Sequence, residues 1–501
     1  MFEAAELGQK VDKATYAARV PELVTRLLEA QRALRAAQVP VVIIVSGVEG
    51  AGKSEVVNRL TEWFDPRGVQ VQAFWDETDE ERDRPRHWRF WRRLPARGTI
   101  AVFFGSWYTQ PIVARAFDQL TDAELERALA RIEALERMLT LDGALIVKLW
   151  FHLSKKAQAA RLKDPRKGRK GEWKLSPLTK KFAKRYATFA RLSDAAIRAT
   201  DTQSCPWHII DSEDRRHRDL AAAGTILTAI ERRLAATPAA TPAPAAAPAQ
   251  APVPVPVPAP AAAPTVLDQV DLAASRLAPE DYDRQIEAEQ RRLFELAWEA
   301  RRRRVSSVIV FEGWDAAGKG GAIRRVAAAL DARLLRVIPI AAPTDEERAH
   351  HYLWRFWRHL PLAGYLTIFD RSWYGRVLVE RVEGFASPDE WGRAYREISA
   401  FEEQLVDHGM ALTKLWLHMS KDEQLARFQE RQQTAWKQHK ITDEDWRNRE
   451  KWDAYALAIH DMVARTSTAA APWTIVAAED KRWARVQVVR TIADRLEATL
   501  G

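Results

Sequence analysis

Short unbroken apolar runs alternate along this chain with longer amphipathic stretches, and the whole alternation occurs twice. In the second half the runs are Val308 to Phe311, Val337 with Ile338, Leu366 to Phe369, Leu412 to Leu417 and Trp473 to Val476. In the first half they are Val41 to Val45, Val69 to Ala73, Ile100 to Phe103, Leu145 to Phe151 and Trp207 to Ile210. A strand covered on both faces reads as a continuous apolar run, so this pattern predicts parallel sheets with helices on both sides. The expected fold class is α/β, doubly wound and used twice.

The two halves are copies. Residues 41–155 lie on residues 307–421 without a gap, and Thr78 to Arg82 repeats as Thr344 to Arg348, as Trp88 to Arg92 repeats as Trp354 to Arg358. Between Ala235 and Thr265 the sequence collapses to alanine, proline, valine and threonine around ten prolines, which favours a semi-rigid polyproline spacer. The expected organisation is therefore a domain over 1–235, a linker over 236–265 and a second domain over 266–501. An internal pseudo-dimer is expected from the duplication, with a further homodimer as the next level.

Composition narrows the class. At 47% apolar and 29% charged residues the chain is an ordinary globular one, and its single cysteine, Cys205, excludes an intrachain disulfide or a multi-thiolate metal site. The first residues lack the basic start and apolar stretch of a secretion signal, and no apolar run of about 18 residues occurs, so the expected location is cytoplasmic, without a membrane partner. A net charge of +9 favours an anionic partner, which by charge alone leaves nucleic acid, a membrane surface and inorganic polyphosphate open.

The chemistry concentrates at Gly313-Trp314-Asp315-Ala316-Ala317-Gly318-Lys319-Gly320-Gly321, directly after an apolar run and before a helix expected to begin near Ala322. Glycines at 313, 318 and 320 let backbone amides wrap a phosphate, and Lys319 adds a positive charge. A phosphate loop usually ends in Ser or Thr, whose hydroxyl ligates Mg²⁺, but Gly320 stands there. The oxygen ligands must come from elsewhere, and Asp315 in the loop and Asp370 at the end of the Leu366 run are the candidates, a salt-bridged structural role being the other reading of each. Asp370-Arg371-Ser372-Trp373-Tyr374-Gly375-Arg376 adds two guanidinium groups that suit charge stabilisation of a migrating phosphoryl group, with Arg376 alternatively pairing with Glu380 or Glu383. Around Trp354 the aromatic spacing reads as core, while Arg355 and Arg358 are placed to follow a phosphate chain. The basic segment from Arg427 to Lys440, with Arg431 and Lys437, reads as a helical lid or as a solvated basic face.

On these residues the second half resembles the polyphosphate kinase 2 family: the loop from Gly313 to Lys319 with its internal aspartate, Phe369 to Tyr374, Val379-Glu380-Arg381-Val382, Lys414-Leu415-Trp416 and Trp436-Lys437. The resemblance implies two tandem P-loop-kinase-like domains, each a parallel five-stranded sheet flanked by helices with a helical lid. It also implies Mg²⁺-dependent, reversible transfer of the terminal phosphoryl group of polyphosphate to a nucleoside monophosphate, AMP in the two-domain members, with Mn²⁺ as the alternative ion. By matching position it assigns metal binding to Asp315 and Asp370 and phosphate binding to Lys319 and Arg371, with Glu380 and Lys437 at further family positions.

The first half departs from this pattern. Its loop, Gly47 to Ser54, restores the hydroxyl, yet Phe104, Gly105, Gln110 and Ala114 replace Asp370, Arg371, Arg376 and Glu380. The expectation is a catalytic second half and a degenerate first half. Two other classes compete: an ATP-dependent P-loop small-molecule kinase, and a polyanion- or nucleic-acid-binding protein without catalysis. The latter is disfavoured because the aromatics recur at core-like positions and the basic residues cluster around phosphate motifs.

Overall fold

The computed structural model describes residues 2–163, 184–236, 265–433 and 443–501. The Ala/Pro-rich stretch, Trp436, Lys437 and Lys440 lie outside the described residues. By contacts the chain divides into two compact units, Met1–Glu77 with Arg89–Ala247 and Asp345–His351, and Thr78–Trp88 with Pro248–Thr344 and Tyr352–Gly501.

Each unit holds one parallel five-stranded sheet. The first comprises β1 (Val41–Gly47), β2 (Val69–Ala73), β3 (Ile100–Phe104), β4 (Leu145–His152) and β5 (Trp207–Asp211), in the order β2-β3-β1-β4-β5. The second comprises β6 (Ser307–Gly313), β7 (Leu335–Pro339), β8 (Leu366–Asp370), β9 (Ala411–His418) and β10 (Trp473–Ala477), in the equivalent order β7-β8-β6-β9-β10. Every strand of the second sheet begins 266 residues after its counterpart, as Ser307 follows Val41 (307 minus 41) and Trp473 follows Trp207. All ten apolar runs became strands. The central ones are buried along their whole apolar length, as with Val308, Ile309, Val310 and Phe311 at 0% exposure. The edge strand β7 is largely exposed, which explains why only Val337 and Ile338 signalled it.

Helix Pro388–Asp407 shows how local signals set the packing. Ser387 caps it in a reciprocal box with Glu390, Pro388 occupies its first turn, and its buried positions Ala394, Ile398, Phe401 and Leu405 recur at helical spacing. Glu402 falls on that inward face. There it accepts from the Lys414 ammonium of β9 at 2.8 Å, the Trp373 indole at 3.0 Å and the Tyr374 hydroxyl at 2.6 Å, while Lys414 also donates to the Thr466 carbonyl at 2.7 Å. The first unit repeats this network with Glu136, Lys148, Trp107, Tyr108 and Thr200 at nearly the same distances. Among the described residues no helix is long and apolar enough to cross a membrane.

Candidate active site

In a doubly wound sheet, ligands bind where strand ends diverge around the central strand. Here β6 is central and β8 is its neighbour, with Phe311 opposite Asp370. The Arg371 amide extends the ladder to the Phe311 carbonyl at 3.0 Å. This register brings the loop after β6 and the segment after β8 to one sheet edge.

The loop turns away from β6 at Gly313, with φ +148°, where an added Cβ would lie 2.6 Å from the Leu417 carbonyl oxygen. No other residue fits that approach. Gly318, with φ +103°, caps helix Lys319–Ala328, so the helix starts three residues earlier than Ala322. The reason is that a left-handed glycine ends the loop abruptly, leaving the Lys319 and Gly320 amides of the first turn without a carbonyl partner in the helix, while the Gly321 amide donates to the Gly318 carbonyl at 2.9 Å. Gly320 has open space around its Cα.

Lys319 donates to the carbonyls of Gly313 at 2.6 Å and Trp314 at 3.1 Å. Burial lowers its pKa, opposed chiefly by the charge of Asp315 and more weakly by Glu312 and Asp370, so all three carboxylates lie within its electrostatic reach. Asp315 is gripped from both sides. Arg371 Nη2 donates to Oδ1 at 3.4 Å and Asn448 Nδ2 to Oδ2 at 2.9 Å. The Asp370 side chain is half-buried, and among the described residues its carboxylate has no hydrogen-bond or ion-pair partner.

Arg371 itself sits at φ +65°, a left-handed conformation that costs a non-glycine residue about 1–2 kcal/mol. Its counterpart, Gly105, adopts φ +78°. The turn is the same in both units, and only the second imposes an arginine on it. Residues held in such conformations cluster at functional sites, which makes Arg371 a candidate site residue.

The remaining expected residues are placed as follows. Arg376 pairs with Glu380 at 3.1 Å and lies 4.5 Å from the Tyr352 ring centre, and burial raises the pKa of Glu380 against the nearby charges of Arg376 and Arg355. Arg355 donates to the Ala341 carbonyl at 3.0 Å. Burial lowers the pKa of Arg431, against the charges of Asp445 and Asp315, which brings it near the loop aspartate. Arg427 is not a lid cation. It is 3% exposed and spans from the Ala316 carbonyl at 3.1 Å to the Ala478 carbonyl at 2.6 Å, bracing the loop from behind, as Arg161 does in the first unit.

Three contributors escaped the sequence reading. Glu312, the last residue before Gly313, is buried and accepts from Ser372 Oγ at 2.8 Å; burial raises its pKa. A carboxylate directly after Val308-Ile309-Val310-Phe311 was the available signal. Trp314 stacks on Trp452 with ring centres 3.7 Å apart and donates to Nδ1 of His418, whose pKa burial lowers to about 4, so the imidazole is neutral and can accept. Asn448 had no local signal.

Two carboxylates, a lysine and loop amides form an oxygen-rich, cation-and-phosphate arrangement. Among the described residues no group of three or more His, Cys, Asp or Glu side chains could hold a metal ion. Mg²⁺, which uses one or two carboxylates and completes its shell with water and substrate phosphate, fits the pair Asp315 and Asp370. In the first unit Lys53 makes the same carbonyl contacts, to Gly47 at 2.8 Å and Val48 at 3.2 Å, but also pairs with Glu49 at 3.4 Å. Glu49 has no arginine equivalent to Arg371 to hold it, because Gly105 stands there.

Comparison with known proteins places the whole chain among relatives. The chain is 50% identical over 499 residues, 99% of each sequence, to a protein of Pseudomonas aeruginosa named polyphosphate:AMP phosphotransferase. It is 40% identical over 483 residues, 94% of this chain and 95% of the other, to a protein of that name from Acinetobacter johnsonii. A solved structure described as polyphosphate kinase 2 of Pseudomonas aeruginosa PA01 superposes with a TM-score of 0.87 at 47% identity, covering 100% of this chain and 99% of that one. A family model described as polyphosphate kinase 2 matches residues 10–238 and again 276–500. With both halves matched by the family model and a relative 50% identical along the full length, the chain belongs to the polyphosphate kinase 2 family.

Proposed function

We propose that this protein moves the terminal phosphoryl group of inorganic polyphosphate to AMP, giving ADP, reversibly, at the site of the second half. The observation that carries this reading is the convergence of Asp315, Asp370 and Arg371 on Lys319, with full-length relatives named for that reaction. AMP presents an oxygen that is already anionic, so no protein base is required; the work is positioning and charge stabilisation. The loop amides and Lys319 bind phosphate oxygens. Two of the three Lys319 donors serve loop carbonyls, which leaves the third for the ligand. Arg371, half exposed and held over the strand end, carries a guanidinium to the migrating group. Asp315 and Asp370 would hold Mg²⁺, or Mn²⁺ in its place, and the bound ion would neutralise phosphate charge during transfer.

Incubating the protein with AMP, Mg²⁺ and polyphosphate in the absence of ATP is expected to yield ADP. No ADP under those conditions, with turnover only when ATP is the donor, would make it an ATP-dependent small-molecule kinase instead.

The strain at Arg371 gives a second expectation. Arg371→Gly is expected to leave the unfolding midpoint unchanged or raised, since it releases about 1–2 kcal/mol of left-handed strain against about 0.5–1 kcal/mol of added backbone freedom. Transfer is expected to drop by about a thousandfold, the scale of losing a charge-stabilising arginine. A variant that lost stability and activity together would point to a structural arginine.

A further inference from the structure

A line of polar contacts leads outward from the loop aspartate. Asp315 Oδ2 accepts from Asn448 Nδ2 at 2.9 Å, and Asn448 Oδ1 faces the Tyr455 hydroxyl at 3.3 Å. That hydroxyl also lies 3.3 Å from Glu383 Oε1, and Glu383 Oε2 accepts from Lys451 Nζ at 2.7 Å. An ionised carboxylate only accepts, so the amide must turn its NH₂ to Asp315 and its oxygen to Tyr455. The single Tyr455 proton serves Asn448 or Glu383 at one time.

The duplication supplies a control within the molecule. Residues needed for the fold are kept at both positions 266 apart: Trp373, Tyr374, Glu402, Lys414, Thr466 and Arg427 recur as Trp107, Tyr108, Glu136, Lys148, Thr200 and Arg161. Asp370, Arg371, Arg376 and Glu380 do not recur. Asn448, Tyr455 and Glu383 side with the second set, for their counterparts are Phe182, Phe189 and Phe117. Where Glu383 and Tyr455 meet in the second unit, the rings of Phe117 and Phe189 pack edge to face in the first, 6.0 Å apart at 71°. An apolar packing therefore holds the same helices together, and the polar line is present only beside the intact charges.

We propose that Asn448, backed by Tyr455 and Glu383, is a positioning residue that fixes the Asp315 carboxylate in the rotamer needed to hold a divalent cation. This rests on the reading of Asp315 as a cation-holding group. Outer-sphere partners that orient a ligating side chain typically contribute tenfold to a hundredfold in metal affinity or activity.

The test uses the full chain and Mn²⁺ as the probe, titrated by electron paramagnetic resonance without substrates, alongside the Mg²⁺ concentration that half-saturates ADP formation. Asn448→Leu is expected to weaken Mn²⁺ binding and raise the half-saturating Mg²⁺ by about tenfold, with the unfolding midpoint close to that of the parent. Tyr455→Phe is expected to move both in the same direction by about twofold to threefold, being one bond further out. Asp315→Asn is the reference. If Asp315→Asn weakens Mn²⁺ binding and Asn448→Leu does not, the positioning role is wrong and the cation reading stands. If neither variant changes Mn²⁺ binding, the cation reading of Asp315 fails and the proposal falls with it.

Discussion

Asp370→Asn is expected to reduce phosphoryl transfer by about a thousandfold or more while leaving the fold in place. Asparagine keeps the shape and the ladder bonds of the strand end, since the Asp370 carbonyl still accepts from Ile340. It removes only the charge. Loss of one carboxylate from a cation shared with phosphate removes several kcal/mol of charge stabilisation, and each 1.36 kcal/mol is about a factor of ten in rate. The same assay on Lys53→Ala is expected to retain most of the activity, because the first unit has Phe104, Gly105, Gln110 and Ala114 where the second has its charges. Equal loss in Lys53→Ala would make the first half catalytic, and the whole assignment of roles to the two halves would have to be reversed or shared.

The second large effect is on stability. Lys414→Met should destabilise the second unit by about 3–5 kcal/mol, the usual consequence of removing one partner from a buried ion pair. Lys414 is 1% and Glu402 2% exposed, so the orphaned carboxylate cannot reach water. Burial already raises the pKa of Glu402 against the pull of Lys414, and without the lysine it would take up a proton, still leaving the Thr466 carbonyl unpaired. Denaturant unfolding reads the change directly. A double replacement, Lys414→Met with Glu402→Leu, is expected to recover more than half of the loss, because it removes the stranded charge along with its partner. Lys148→Met should destabilise the first unit by a similar amount, since its network has the same partners and distances. A small effect at either position would mean that water or relaxation reaches the pair.

Much of the molecule was readable before folding. The strands were legible because burial on both faces leaves continuous apolar runs, and the loop because a glycine-rich turn before a helix admits few alternatives. Asp370 and Arg371 were legible because they are sequence neighbours at the end of a recognisable strand. Glu312 was overlooked although its signal was local, a charge closing an apolar strand. Arg427 misled for a related reason: sequence shows that a residue is basic, not whether its guanidinium faces solvent or three backbone carbonyls.

By itself the sequence determined the duplication, the sheet strands, the phosphate loop and which half kept its acidic residues, all properties of residue order and local pattern. Only the tertiary structure decided that Arg371 occupies a turn its copy gives to glycine, that Lys53 pairs with its own loop glutamate, and that Asn448 meets Asp315 across 133 positions of sequence. No periodicity encodes such meetings. They follow from strand order and helix packing, which bring side chains to a common edge after the backbone has already been fixed.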